Sequence, residues 1–387
     1  MAEGFFTKTI ESLGGLLTGL LDLIPGLILA INYELIAKNI WAAILIPPLI
    51  SFRGSTLGVF IGRYSTGLHL GTMKTTITRN TRFFYSVFLS TWILNIIGSS
   101  LIIAVIYALS LIYGIHLNIL NVVLMFSSAM LISNVIIFIA IMMVSAFTYR
   151  LGLDPDYMLY PITSTLADII VVGTFISILY MWFEFGHLLT LYVLTAVFYA
   201  SAIITKLIPM DWLTFKKTIS ESLLSLLIIV ILVCVTGMAF GEISKRVSEY
   251  PQIYLTYPSL ITTVGDSGSI VGSALTTRLH LGTIGAGWSL VPRSLSIVLP
   301  TLCAYEAVMA IYALIAYLYV ENPLGSIVVF LSGNLAFVMI LLITIIVVNL
   351  TFQLGLDPDH FVNPFISTLA DNMTTLAILF TIVTLIA

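Results

Sequence analysis

The sequence predicts an all-α polytopic membrane protein, with about eleven transmembrane helices arranged as two parallel five-helix repeats joined by a linker helix. The first observation is the composition, with 59% hydrophobic and only 9% charged residues and a mean hydropathy of +1.12. The second is a series of apolar runs long enough to cross a bilayer, and the third is a polar motif that occurs twice. Such a composition excludes a soluble globular enzyme and leaves no soluble domain over.

The apolar runs predict the helices directly. In chain order they lie near residues 12–32, 41–64, 83–112, 119–149, 157–183, 188–206, 219–241, 252–276, 291–320, 325–351 and 360–386. Several exceed the ~20 residues needed to span a bilayer, so tilted or broken helices are expected. The sixth run carries no polar stripe, which is typical of a linker between two halves.

A repeated motif opens the fifth and the last of these helices. Residues 151–168 read LGLDPDYMLYPITSTLAD, and residues 354–371 read LGLDPDHFVNPFISTLAD. The two share Leu-Gly-Leu-Asp-Pro-Asp, a proline and Ser-Thr-Leu-Ala-Asp. Chance does not give this agreement in an apolar chain, so the sequence indicates an internal duplication.

Each copy of the motif predicts a helix start followed by a polar stripe. Asp154 can cap the helix, Pro155 suits its first turn, and Asp156 favours the positive end of the helix dipole. In each copy a proline, a serine, a threonine and an aspartate then follow at i, i+3, i+4 and i+7 on one face. These residues are Pro161, Ser164, Thr165 and Asp168 in the first copy and Pro364, Ser367, Thr368 and Asp371 in the second.

The terminal aspartate of each stripe is predicted to lie near the middle of the membrane. Eleven residues at ~1.5 Å rise place it roughly 16 Å inside a hydrocarbon core about 30 Å thick. A carboxylate there costs on the order of 2.5–3.5 kcal/mol and normally marks an ion path. The alternative is a protonated or hydrogen-bonded aspartate that only holds helices together, but two equivalent acidic faces favour a cation site.

The repeat defines the predicted domains: a first five-helix repeat over residues 1–186, a linker helix and loop over 187–212 and a second repeat over 213–387. Because five is odd, the extra helix gives both repeats the same orientation. With the N-terminus in the cytoplasm, most of the 15 Lys and Arg residues lie inside. The positive-inside rule therefore favours a cytoplasmic N-terminus and an external C-terminus, and the cell membrane is the expected location.

The second helix of each repeat carries a further signal. A proline and a glycine stand seven residues apart in both, as Pro47 with Gly54 and Pro258 with Gly265. This pattern loosens a helix and frees carbonyl groups toward a cavity, although close packing at small residues explains it equally well. Asp266, directly after Gly265, adds a third carboxylate inside the membrane.

The candidate metal site offers only oxygen ligands. They are the carboxylates of Asp168, Asp371 and Asp266, the hydroxyls of Ser164, Thr165, Ser367 and Thr368, and the amide of Asn372. Oxygen ligands suit Mg²⁺, Ca²⁺ or Mn²⁺, whereas zinc or copper would call for His or Cys. Two carboxylates suit Mg²⁺ in particular, because it keeps several waters; across a hydrated ion they would stand roughly 8 Å apart, against about 4 Å for direct ligation.

These features resemble the MgtE-type magnesium transporters, and most of all the two-repeat carriers of solute carrier family 41. The resemblance rests on the proline-to-glycine second helix and on the Asp-Pro-Asp, Pro and Ser-Thr-x-x-Asp pattern of the fifth. It implies that Asp168 and Asp371 line a central path between the repeats and bind the transported Mg²⁺. The family's second-helix motif is similar to Lys-Gly-Asn or Gly-Gly-Asn, whereas this chain reads Arg53-Gly54-Ser55 and Val264-Gly265-Asp266.

Two other classes of function remain as alternatives. An intramembrane aspartyl protease also uses two aspartates on different helices, but its Gly-x-Gly-Asp and Tyr-Asp signatures are missing. A secondary carrier for another cation or a small organic solute is the other; an asymmetric aromatic or arginine-lined pocket would favour the organic solute, and Arg53 is the one hint of such a pocket. The expected partners are a divalent cation and the lipid bilayer, without nucleic acid, and Na⁺ is a candidate coupling ion. A monomer would suffice, and the sequence leaves a homodimer open.

Overall fold

The computed structural model describes residues 2–150, 155–246, 250–285, 287, 290–354 and 359–385, and these form only helices and their connections. Thirteen α-helices follow one another along the chain. They are α1 (Ala2–Leu16), α2 (Leu23–Ile31), α3 (Tyr33–Ala37), α4 (Ile40–His69), α5 (Arg82–Ile112), α6 (Ile119–Arg150), α7 (Pro155–Phe183), α8 (Leu188–Ile204), α9 (Trp212–Arg246), α10 (Pro251–His280), α11 (Leu290–Val320), α12 (Pro323–Gln353) and α13 (Asp359–Leu385). Short 3₁₀ turns occupy Leu17–Asp22 and Thr205–Leu207. The predicted all-helical membrane class is confirmed.

Several helix ends follow from local sequence signals. Thr81 caps α5, where its hydroxyl accepts a hydrogen bond of 3.2 Å from the amide of Phe84. Asn322 caps α12 in the same way through the amide of Leu324 at 3.0 Å, with Pro323 in the first turn. Such caps satisfy amides that have no partner inside the helix, so these helices begin where the sequence allows.

The first predicted helix is interrupted. The segment near 12–32 divides into α1, a 3₁₀ turn over Leu17–Asp22 and α2. Gly19 lies in this turn, where a β-carbon would come within 2.5 Å of the Thr263 hydroxyl and 2.9 Å of the Tyr312 hydroxyl. Glycine weakens an α-helix but permits this close packing, which accounts for the break.

Nine helices within the described residues are long and apolar enough to cross a membrane. Every predicted helix of the two five-helix repeats is among them except α10, which carries many polar residues. The first span runs through α1, the 3₁₀ turn and α2. The linker helix α8 is apolar but short. The count of eleven spans, which adds α8 and α10, stays a prediction.

The chain forms two compact units whose limits differ from those of the sequence repeats. One unit contains Met1–Ala37 and Ala239–Ala387, and the other contains Lys38–Met238. We call them the α10–α13 unit and the α4–α7 unit after the helices that build most of each. The first helical segment of the first half, α1 with α2, thus belongs to the α10–α13 unit, and most of α9, the first helix of the second half, belongs to the α4–α7 unit. The division of the sequence into repeats at 1–186, 187–212 and 213–387 stays a prediction.

Each unit thus contains the first helix of the other half, and a close contact between a glycine and a carbonyl oxygen holds that helix in place in both units. A β-carbon on Gly26 of α2 would lie 1.8 Å from the carbonyl oxygen of Leu255 in α10. A β-carbon on Gly237 of α9 would lie 2.4 Å from the carbonyl oxygen of Ile44 in α4. Pro48 has no amide hydrogen, so it cannot bond the Ile44 carbonyl within the helix. In both units a glycine therefore lets the first helix of one half approach the backbone of the other half's second helix.

Candidate functional site

The second and fifth helices of the first half pack antiparallel within the α4–α7 unit. At one end Trp41 of α4 stacks on Phe183 of α7 with ring centroids 6.0 Å apart, and Lys38 donates a hydrogen bond of 3.2 Å to Glu184. Near the middle of both helices the Arg53 guanidinium donates a hydrogen bond to the Asp168 carboxylate. The predicted site residue Asp168 thus lies where α7 contacts α4, and its partner there is a cation.

This ion pair is almost completely removed from solvent. Arg53 is 2% exposed and Asp168 is 7% exposed. Within the described part of the chain, the Nε–H of Arg53 finds no acceptor. A buried ion pair is neutral as a whole, but each of its charges is costly without the other. Ser164 and Thr165, which the sequence groups with Asp168, are only half-buried.

The corresponding helices of the second half, α10 and α13, also pack antiparallel, within the α10–α13 unit. The hydroxyls of Tyr257 and Thr375 lie 2.9 Å apart, and a β-carbon on Gly265 would lie 3.5 Å from that of Ala370. Asp266 directly follows Gly265, and Asp371 directly follows Ala370. Both carboxylates therefore lie at the same level of this unit.

The polar stripe of α13 is less uniform than the sequence suggests. Ser367 is exposed, Thr368 is buried and Asp371 is half-buried. Asn372 is 3% exposed, and its side-chain amide donates a hydrogen bond of 3.3 Å to the Thr368 carbonyl oxygen. Asn372 is therefore placed to order the helix beside Asp371.

The two halves differ in charge at this level. Arg53 occupies the position before the second-helix glycine in the first half, and the buried Val264 occupies the matching position in the second half. Asp266 forms no ion pair with any lysine or arginine that the structure describes. The structure thus brings Asp168 together with a positive charge, whereas the second half has a valine at the position that matches Arg53.

A second polar cluster lies one helical turn from Arg53. Asn95 accepts hydrogen bonds from Thr56 at 3.1 Å and from Asn134 at 3.3 Å, and all three residues are buried. In the second half Asn334 donates a hydrogen bond of 3.5 Å to Glu306, the residue that corresponds to Asn95. These contacts tie the third helix of each half to the fourth.

Two features of the buried charged residues were not recognised from the sequence. The first is the ion pair between Arg53 and Asp168. The second is Asp22, which is 3% exposed and, like Asp266, lies within electrostatic range of the Tyr312 hydroxyl. The only signal for Asp22 was a charge inside an apolar run. Of the residues predicted to start the fifth helix, Pro155 does begin α7, whereas Asp154 and the side chain of Asp156 lie outside the described residues. The side chains of the stripe prolines, Pro161 and Pro364, also lie outside them.

A comparison with protein families identifies the chain. The model of the MgtE family, described as divalent cation transporters, matches it twice, at residues 46–178 and 257–382. This chain belongs to the MgtE family. Each match runs from the second helix to the fifth helix of one half, so both members of each antiparallel pair described above lie inside a matched region.

Membership of the MgtE family indicates a multi-pass membrane transporter of divalent cations. The family is one of transporters and not of enzymes, which speaks against the aspartyl protease interpretation. Arg53, the one hint of an organic-solute carrier, is paired with Asp168. Neither a search of curated proteins nor a search of solved structures found a match.

Proposed function

We propose that this MgtE family member carries Mg²⁺ as its preferred ion and that Asp168 and Asp371 contact the ion during transport. The observation that carries the proposal is the placement of the same acidic motif within one membrane-spanning helix of each half, inside both regions that match the family. A carboxylate far inside a membrane-spanning helix is costly, and such residues normally serve an ion path.

The ligand chemistry supports a hydrated hard cation. Ser164, Thr165, Ser367, Thr368 and Asn372 offer only oxygen ligands around the two aspartates, and Asp266 adds a further carboxylate. Among the described side chains no group of three or more His, Cys, Asp and Glu residues is arranged to hold a metal. Mg²⁺ binds through one or two carboxylates and keeps several waters, which fits two aspartates flanked by hydroxyl and amide oxygens.

The same proposal covers location and assembly. We place the protein in the cell membrane, and we assign a cytoplasmic N-terminus because this orientation puts most lysines and arginines inside. One chain already contains both halves, so a monomer suffices for transport. Na⁺ is the coupling ion to test first.

Ion flux into proteoliposomes tests the proposed function. The purified chain is reconstituted with a Mg²⁺-sensitive dye inside the vesicles, and an inward Mg²⁺ gradient is applied with and without an opposing Na⁺ gradient. We expect uptake above that of protein-free vesicles, and competition by Mn²⁺ more than by Ca²⁺, because Mn²⁺ is closer to Mg²⁺ in size and coordination. Folded protein that gives no uptake of any of the three ions would overturn the proposal.

A further inference from the structure

Arg53 holds the carboxylate that the transported ion is proposed to reach. The guanidinium belongs to α4 and the carboxylate to α7, and both lie near the middle of their helices, away from solvent. A divalent cation cannot bind Asp168 while this ion pair is intact, because the guanidinium already occupies the carboxylate and repels a second positive charge. The pair must therefore open if Asp168 is to act as a ligand.

The packing and hydrogen bonding next to Arg53 are incomplete. A cavity lies beside α4 within the same unit, on the helix face that carries Phe52 and Thr56; Arg53 does not line it. From α9 it is lined by Ser222, Ser225 and the carboxylate-bearing Glu221. The Nε–H of Arg53 and the side-chain oxygen of Asn134 are both buried without a described hydrogen-bond partner. The Arg53 guanidinium is therefore not fully satisfied in the closed pair.

We propose that Arg53 is a tethered surrogate cation, which occupies Asp168 when no ion is bound there and is displaced when the ion arrives. The inference rests on the proposed function, since it concerns the same carboxylate. It makes the two halves unequal: Asp168 becomes a ligand only by competition with an internal charge, and the second half has a valine, Val264, at the position that matches Arg53. A surrogate cation also keeps Asp168 neutralised between transport events, when an uncompensated carboxylate inside the membrane would be costly.

Metal binding to the full chain in detergent tests this competition. Mn²⁺ serves as a probe for Mg²⁺, and the free ion is measured by electron paramagnetic resonance for the wild type, Arg53→Gln and the double variant Arg53→Gln with Asp168→Asn. Removing the competitor should tighten Mn²⁺ binding by about 5- to 150-fold, the usual range for two coupled binding events. The double variant should lose that gain, because the carboxylate that was released is gone.

Arg63→Gln is the matched control. Arg63 lies on the same helix and donates a hydrogen bond of 2.8 Å to Glu221, but it does not contact Asp168. This substitution should leave Mn²⁺ affinity within about twofold of the wild type. Equal tightening in Arg63→Gln and Arg53→Gln would overturn the proposal, because it would reflect only the loss of a positive charge.

The remaining outcomes also decide the question. Folded Arg53→Gln protein that binds Mn²⁺ no more tightly than the wild type would make Arg53 a structural tie and overturn the inference. If the wild type still transports Mg²⁺ in vesicles, the proposed function survives that result; if it transports no divalent cation, both fall.

A measurement on the wild type covers the case in which Arg53→Gln does not fold. The arginine side-chain ¹⁵N spectrum reports the Arg53 guanidinium, which is assigned with the charge-conserving variant Arg53→Lys. Saturating Mg²⁺ should shift this resonance, because the guanidinium leaves its carboxylate. A resonance that Mg²⁺ leaves unchanged, in protein that transports Mg²⁺, would overturn the proposal.

Discussion

Arg53 of α4 and Asp168 of α7 form a buried ion pair within the α4–α7 unit. Breaking such a pair leaves one uncompensated charge and costs about 3–5 kcal/mol, whereas replacing both members is often close to neutral. Substitutions at either residue therefore change folding as well as ion binding. Tests of the transport site need variants that conserve the balance of charge.

The first prediction concerns this balance. Asp168→Asn alone should lower the free energy of unfolding by about 3 kcal/mol or more, because the Arg53 charge is left buried without its partner. The double variant Arg53→Gln with Asp168→Asn should recover most of that loss. Denaturant unfolding in detergent measures both, and a double variant no more stable than the single one would show that the two residues do not act as a pair.

The second prediction concerns the exchanged first helices. Gly26→Ala should destabilise the protein by about 1–3 kcal/mol or prevent its folding, since the new methyl group would overlap the Leu255 carbonyl oxygen of α10. Gly14→Ala is the control, because a β-carbon at Gly14 has no described atom within 4 Å. It should be neutral or slightly stabilising. Thermal unfolding compares the two, and equal stability would contradict the packing of α2 on α10.

The third prediction applies the same contact to the other unit. Gly237→Ala should destabilise the chain, because the methyl group would lie 2.4 Å from the Ile44 carbonyl oxygen and 3.1 Å from Pro48. Gly54→Ala changes a glycine of α4 that has open space around it, and it should leave stability within about 1 kcal/mol of the wild type. Limited proteolysis of the two variants in detergent gives the comparison. If the Gly237→Ala variant resisted proteolysis as well as the Gly54→Ala variant, the close approach of α9 to α4 would be ruled out.

The fourth prediction concerns a carboxyl group outside the membrane-spanning segments. A hydrogen bond of 2.5 Å from the Thr214 hydroxyl, together with backbone amides, lowers the pKa of Asp211 below its ordinary value of 3.8. Its contribution to stability is therefore fully present above pH 3.8 and is lost as the pH falls through the lowered value. Thr214→Val should raise the pKa of Asp211. The carboxyl ¹³C shift of labelled aspartate, assigned with Asp211→Asn, measures it, and a wild-type value at or above 3.8 would contradict this account.

Most of the helical framework could be predicted from the sequence because apolar runs and caps are local signals. The predicted fifth helix near 157–183 corresponds to α7 at Pro155–Phe183, and the predicted eleventh near 360–386 corresponds to α13 at Asp359–Leu385. The two polar stripes thus lie on the helices in which they were predicted. The 3₁₀ turn at Leu17–Asp22 was missed, since it depends on the packing of Gly19 against Thr263 and Tyr312.

The sequence could not reveal which helix faces meet. Arg53 stood out as a charge inside a helix, but its partner lies on a helix far along the chain, and periodicity carries no information about such pairings. The exchanged first helices were hidden for a related reason. Similarity between two repeats shows that Gly26 and Gly237 are equivalent, but it does not show which copy of the second helix each one contacts.

The central claim is that Asp168 and Asp371 contact the transported ion, and Mg²⁺ flux through folded variants tests it most directly. Wild type, Asp371→Asn, and the charge-balanced Arg53→Gln with Asp168→Asn are reconstituted at equal density, with Asp211→Asn as a control aspartate outside the membrane-spanning segments. We predict at least a tenfold loss of Mg²⁺ uptake for Asp371→Asn and for the charge-balanced variant, and unchanged uptake for Asp211→Asn, because loss of a mid-membrane ligand removes more than ~1.4 kcal/mol of ion stabilisation. Uptake at the wild-type rate by either Asp371→Asn or the charge-balanced variant would contradict the claim for the carboxylate removed, and such uptake by both would place the ion path away from these carboxylates.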